Sequence, residues 1–219
     1  MRAFRILFED PDWLKHLLFG AVFTLLSGVL IGLFFIAGYG VRLVRNAQRG
    51  EARPLPDWDD LGGLFQDGLG PVGMYLIYGF ATPLVPATIA GVIGAAAWAI
   101  GSLGPSDGSE LGIVVGMLAF YFLLFVFGLV GFVIFPAAFT RMALERRFSA
   151  AFEFGEILGY IKRNAGNYLL AVLAYLIASV ASQFGLILLC VGIFPAIFWS
   201  YVVMSWGLGE AARLDPGRR

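Results

Sequence analysis

Four long tracts of this chain carry no ionised side chain, and they set the terms on which it can fold. The 15 basic and 15 acidic residues all fall within 1–15, 42–67, 107–110, 141–163 and 210–219. Between them lie residues 16–41, 68–106, 111–140 and 164–209. A helix crosses hydrocarbon with about 20 apolar residues, and each tract is long enough. Charged residues make up 14% of the chain and hydrophobic ones 59%, with a mean hydropathy of +0.83. Soluble domains average about 25% and 45–50%. An ordinary water-soluble globule is excluded. The pattern predicts an all-α, polytopic transmembrane bundle forming a single integral membrane domain over 1–219.

The net charge of zero gives no general attraction to nucleic acid. The lone cysteine, Cys190, has no partner for an intrachain disulfide and reads as a small packed hydrophobe. The N-terminal stretch holds Glu9, Asp10 and Asp12 and no small-x-small cleavage pattern; the first tract runs into Arg42, Arg45 and Arg49. That is a stop-transfer signal and not a cleavable leader.

Pro11 ends any helix in 1–10, which leaves a short interfacial segment with Trp13 at headgroup level. The first span is expected from Trp13 to about Arg45. The second tract holds Pro83 and Pro86, which predict a kinked span or two half-helices. The third span covers about 111–140. The fourth tract, 46 residues long, is too long for one crossing and divides into 167–184 and 188–208 around Gln183-Phe184-Gly185. Five crossings result.

The 42–67 and 141–163 segments carry the loop arginines and lysine and are placed in the cytoplasm; 101–110 has none and is placed outside. Five spans then put the N-terminus outside, against Arg2, Arg5 and Lys15. A shallow hairpin at Ser27-Gly28 would remove the conflict. The full span is preferred because Gly20, Thr24, Gly28 and Gly32 form an unbroken i,i+4 ladder. Gly112 and Gly116 in the third tract and Gly91 in the second extend the same pattern. Small residues at this spacing let helix backbones approach within lipid, inside one bundle or between copies of it.

The two basic loops look alike. Pro56 opens a helix whose first turn carries Asp57, Asp59 and Asp60, with Trp58, Leu61, Phe65 and Leu69 on one face. Phe154, Ile157, Leu158 and Ile161 repeat the stripe. A shift of 96 residues lays Asp60 on Glu156, Leu61 on Ile157, Gly63 on Gly159, Gly20 on Gly116 and Gly32 on Gly128. The pattern predicts two cytoplasmic interfacial amphipathic helices and a parallel internal duplication, with halves 14–102 and 110–209. Trp13, Arg42, Arg45, Arg49, Trp58, Leu61, Phe65, Phe154, Ile157 and Ile161 are the expected lipid-interface residues.

Asp10-Pro11-Asp12-Trp13, Pro54-Leu55-Pro56-Asp57-Trp58-Asp59-Asp60 and Gly63-Leu64-Phe65-Gln66-Asp67-Gly68-Leu69 resemble a family of prokaryotic polytopic membrane proteins known only as a domain of unknown function. The resemblance covers most of the chain and implies a small integral protein of the cell (inner) membrane. It implies no activity, substrate or catalytic residue.

No catalytic set is found in the sequence. The tracts contain no ionisable residue of the kind that marks proton pathways. Thr82, Pro83, Pro86 and Thr88 are the candidate pathway for a weakly polar solute. Gly104-Pro105-Ser106-Asp107-Gly108 fits G-x-S-x-G only outside the strand–turn–helix setting that motif needs. His16, the single histidine, reads as interfacial. The group Asp57, Asp59, Asp60 and Asp67 offers oxygen ligands to a hard cation, but helix-capping acids are the plainer account, so no cofactor or metal is expected. The expectation is a non-enzymatic membrane protein acting on membrane lipids, as a homo-oligomer or with other membrane proteins, in scaffolding or assembly. The alternative is a small transporter or channel.

Overall fold

The computed structural model describes residues 2–103, 109–187 and 192–218; Cys190 and the G-x-S-x-G segment lie outside them. The described residues form seven α-helices and short 3-10 turns, with no strand among them. The helices are α1 (Trp13–Leu26), α2 (Ile31–Arg49), α3 (Leu61–Gly101), α4 (Ser109–Glu145), α5 (Phe154–Arg163), α6 (Ala165–Gln183) and α7 (Ile193–Arg213). Three are long and apolar enough to cross a membrane: α3, Glu110–Glu145 within α4, and α6.

The first tract is not one helix. α1 ends in a 3-10 turn over Ser27–Val29, Leu30 takes a left-handed φ of 67°, and α2 begins at Ile31. α2 then returns alongside α1: the Phe23 and Phe35 rings stack with centroids 4.6 Å apart, and His16 lies against Tyr39. The glycine ladder that favoured a full span is cut by this turn. Gly20 instead accommodates the Phe198 ring, Gly28 meets nothing, and Gly32 sits against the backbone of Phe23 and Leu26, where a Cβ would collide. Gly32 is therefore what lets the chain fold back. At 14 residues, α1 is about 21 Å long, well short of a hydrocarbon core of about 30 Å.

The second tract also differs from one expectation. α3 runs unbroken through Pro71, Pro83 and Pro86, so there are no half-helices. Near the prolines Thr82 Oγ1 donates to Tyr78 O at 2.7 Å and Thr88 Oγ1 to Leu84 O at 2.9 Å. The turn predicted near Gln183 is present: α6 stops there and a 3-10 turn covers Phe184–Ile187.

The chain forms two units, residues 1–74 with 136–219, and residues 75–135. In the first, α1, α2 and α7 pack around Leu7, Tyr39, Leu43, Trp58, Leu64, Phe198 and Val202, all buried, and α6 packs on α7 through Ala178 and Val203. Close backbone approach depends on glycine. Gly38 faces the Leu64 carbonyl, Gly68 faces Phe34, and Gly209 lies against Val44 and Ala47. Buried Asn164, between α5 and α6, donates to Ala211 O in the last turn of α7, satisfying a carbonyl that a helix end leaves open.

In the second unit, the α3 and α4 segments meet through Gly94, Gly112 and Gly116, where the glycine Cα atoms leave room for direct backbone contact. Gly91 meets nothing within 4 Å. The most apolar stretch of α4 has no buried residue, so Leu118, Phe122 and Phe125 present their side chains outward.

Candidate functional site

The polar residues of the first unit converge on a cleft of about 530 Å³. Its walls are Arg42, Arg45, Asn46 and Arg49 of α2, Pro56, Asp57, Asp59 and Asp60 of the following loop, Asp67 of α3, and Arg146 just past α4. Local sequence explains how these come together. Arg42, Arg45 and Arg49 recur at helical spacing and share a face of α2. Asn46 Nδ2 donates to Pro54 O at 3.0 Å and pins the loop back along the helix. Asp60 Oδ1 accepts from Gly63 N at 2.9 Å, an N-terminal cap that starts α3.

Asp67 is the hub. It accepts from Arg42 Nε at 2.7 Å and from Arg45 Nη1 at 2.9 Å. Arg42 reaches on to Asp60 at 2.8 Å, and Gly63 leaves the space for it. Arg45 Nε donates to Ala143 O at 2.6 Å, closing an open carbonyl in the last turn of α4. The Gly63 N–H, followed by the Arg42 guanidinium, holds the Asp60 carboxyl below the usual carboxylate range. Among the described residues no group of three His, Cys, Asp or Glu is placed to hold a metal ion; of the acids offered for that role, Asp60 and Asp67 bind guanidinium groups and Asp59 binds a lysine.

The expected first amphipathic helix is not a separate element. Residues 51–60 are irregular and α3 starts at Leu61, so Asp57, Trp58 and Asp59 stand outside it. Trp58, expected at the lipid interface, is only 2% exposed. It stacks on Tyr39 at 4.7 Å and Phe23 at 5.2 Å, and tilts against Phe198. An indole next to these three rings and to Phe19, stacked at 6.0 Å, gains more from burial and stacking than from the interface. Trp13, Leu61 and Phe65 are exposed.

The second amphipathic helix is α5. Phe154 and Leu158 are exposed, but Ile157 is fully buried and Ile161 half-buried, so part of the apolar stripe faces protein. Arg141 organises this region, donating to Glu153 at 3.1 Å and Glu156 at 3.2 Å as well as to Glu145.

Beside the cleft, His16 is buried with its Nε2 3.8 Å from Asp10 and its Nδ1 3.5 Å from the Tyr39 hydroxyl. Burial lowers its pKa against the opposing pull of Asp10. Asp10 also accepts from Asp12 N at 2.9 Å, a turn that delivers Trp13 to the start of α1. Sequence reasoning left His16 at an interface. The signal that could have placed it was the return of α2, which brings Tyr39 opposite.

Thr82, Pro83, Pro86 and Thr88 do not line this cleft. Residues 22–191 fit the family model described as Protein of unknown function (DUF4013). No curated protein and no solved structure matches the chain.

Proposed function

The chain belongs to this family, and from that premise we propose that it is a non-enzymatic integral membrane protein that organises the bilayer or assembles with other membrane proteins. The observation that carries the reading is the outward apolar face of α4. A stretch with no buried residue must be covered by lipid or by other helices. Within the chain, Gly94, Gly112 and Gly116 serve the contact between α3 and α4, while Gly128 and Gly131 of α4 meet nothing within 4 Å and leave room for a further helix.

The topology we propose has four crossings, α3, α4, α6 and α7, with the α1–α2 pair dipping in and returning. Arg2, Arg5 and Lys15 then share the cytoplasmic side with both basic loops, and the conflict with the positive-inside rule disappears. The Lys15–Asp59 pair at 3.2 Å supports this.

A parallel duplication also belongs to the proposal. The shift of 96 residues that lays Asp60 on Glu156 lays Arg45 on Arg141. In each half the acid at the start of the next helix pairs with an arginine, Asp60 with Arg42 and Glu156 with Arg141, although Arg45, the equivalent of Arg141, pairs with Asp67 instead.

Photo-cross-linking from Leu118, Phe122 and Phe125 in native membranes tests the reading. Discrete protein adducts are expected. Lipid adducts alone, with no remodelling of reconstituted vesicles, would remove it. Transport is the second reading from sequence. Solute flux abolished by Thr82→Ala or Pro83→Ala would favour it over assembly.

A further inference from the structure

We infer that the cleft between α2 and the loop before α3 holds the headgroup of a zwitterionic phospholipid bearing a primary ammonium, with Arg146 on the phosphate and Asp57 on the ammonium. The inference rests on the membrane reading above. Its basis is the charge pairing of the cleft walls. Four arginines face four aspartates, so the cleft as a whole attracts neither sign.

Internal pairs then use most of them. Arg42 and Arg45 are held by Asp60 and Asp67, Arg49 pairs with Glu51, and Asp59 pairs with Lys15. Among the described residues, Arg146 and Asp57, both exposed, are the two charged wall residues with no ion pair and no side-chain hydrogen bond, Asp57 acting on Lys15 and His16 only at longer range. One cation and one anion on the walls of the same cleft match a ligand that carries both charges a few bonds apart. A guanidinium offers phosphate two parallel donors, and a carboxylate accepts from the ammonium.

Two further observations favour a lipid. Arg146 sits at a left-handed φ of 54°, a conformation that favours glycine, so an arginine there is not what the backbone alone would select. The cleft also borders apolar surface that lipid would cover on the membrane reading. Asp59 on its wall pairs with Lys15, and from Leu18 onward the outer face of α1 is exposed and apolar through Val22, Leu25 and Leu26. The volume of about 530 Å³ is in the range of small-ligand sites.

The test uses the full chain in nanodiscs of phosphatidylcholine with equal phosphatidylethanolamine and phosphatidylglycerol. Lipid retained through detergent extraction is then measured. Phosphatidylethanolamine should be enriched, and Arg146→Gly, which keeps the favoured backbone and removes the guanidinium, should reduce that enrichment by about tenfold, as should Asp57→Asn. Arg53→Gln, which leaves the cleft walls unchanged, should retain it. Enrichment of phosphatidylglycerol instead, or enrichment unchanged in both variants, would overturn the inference. Displacement by water-soluble glycerophosphoethanolamine at the same concentration would overturn the lipid as source. Protein that retains the lipid but yields no cross-linked partner and no remodelling would keep this inference while the assembly reading fails.

Discussion

Lys15 and Asp59 form an ion pair at 3.2 Å although 44 residues separate them in sequence. The pair ties the entrance of α1 to the loop before α3, which requires the chain between them to go out and come back. The pair itself is exposed and contributes little to stability; its value is as a marker of which segments share a face.

The return depends on backbone geometry at two neighbouring positions. Gly32→Val should destabilise the protein by about 1–3 kcal/mol, because a side chain there meets the backbone of the preceding turn. Leu30→Gly should stabilise it by about 1 kcal/mol, since a left-handed leucine is strained. Thermal unfolding in detergent reads both, and the opposite signs are the diagnostic feature.

The charged cleft was partly legible in the sequence. The runs Arg42-Arg45-Arg49 and Asp57-Asp59-Asp60 announce a polar region at a membrane edge. Their pairing is not local, however. Asp67 meets Arg42 and Arg45 only because Gly38 and Gly68 let α3 lie directly on α2. Asp67→Asn should cost about 1.5–3 kcal/mol by leaving the largely buried Arg45 guanidinium without a carboxylate and Arg42 with Asp60 alone. Glu9→Gln, which breaks an exposed pair with Arg2, should cost less than about 0.5 kcal/mol.

Trp58 shows why a periodic stripe misleads. Its spacing to Leu61 and Phe65 fits a helix face, but the Asp60 cap begins the helix after it and frees the indole to enter the aromatic core. Trp58→Ala should cost about 3–5 kcal/mol. Trp58→Phe should cost much less, since it also removes an indole N–H that has no partner among the described residues. Phe154→Ala, at an exposed position, should be nearly neutral, as exposed sites usually are.

His16 makes stability depend on acidity. Asp10, Tyr39, Lys15, Asp12 and Asp57 surround it, and burial leaves its pKa lowered in the folded protein. The folded state therefore binds the proton less readily than the unfolded one, whose histidine titrates at about 6.5. The contribution is complete above that value and is lost as pH falls through the lowered one. Unfolding midpoints measured from neutral to mildly acidic pH should fall in the native protein, and that portion of the fall should vanish in His16→Gln.

The tracts themselves, the turn after Gln183 and the helical class follow directly from charge distribution, because lipid imposes one requirement on all of them. The hairpin in the first tract does not, because it depends on one left-handed leucine and one glycine contact. Single-cysteine labelling at positions 5 and 53, in a Cys190→Ala background, therefore tests the account most directly. In sealed right-side-out and inverted vesicles, both positions should react with an impermeant thiol reagent from the same side. Labelling from opposite sides would mean that α1 and α2 cross the membrane as one span, contradicting the account.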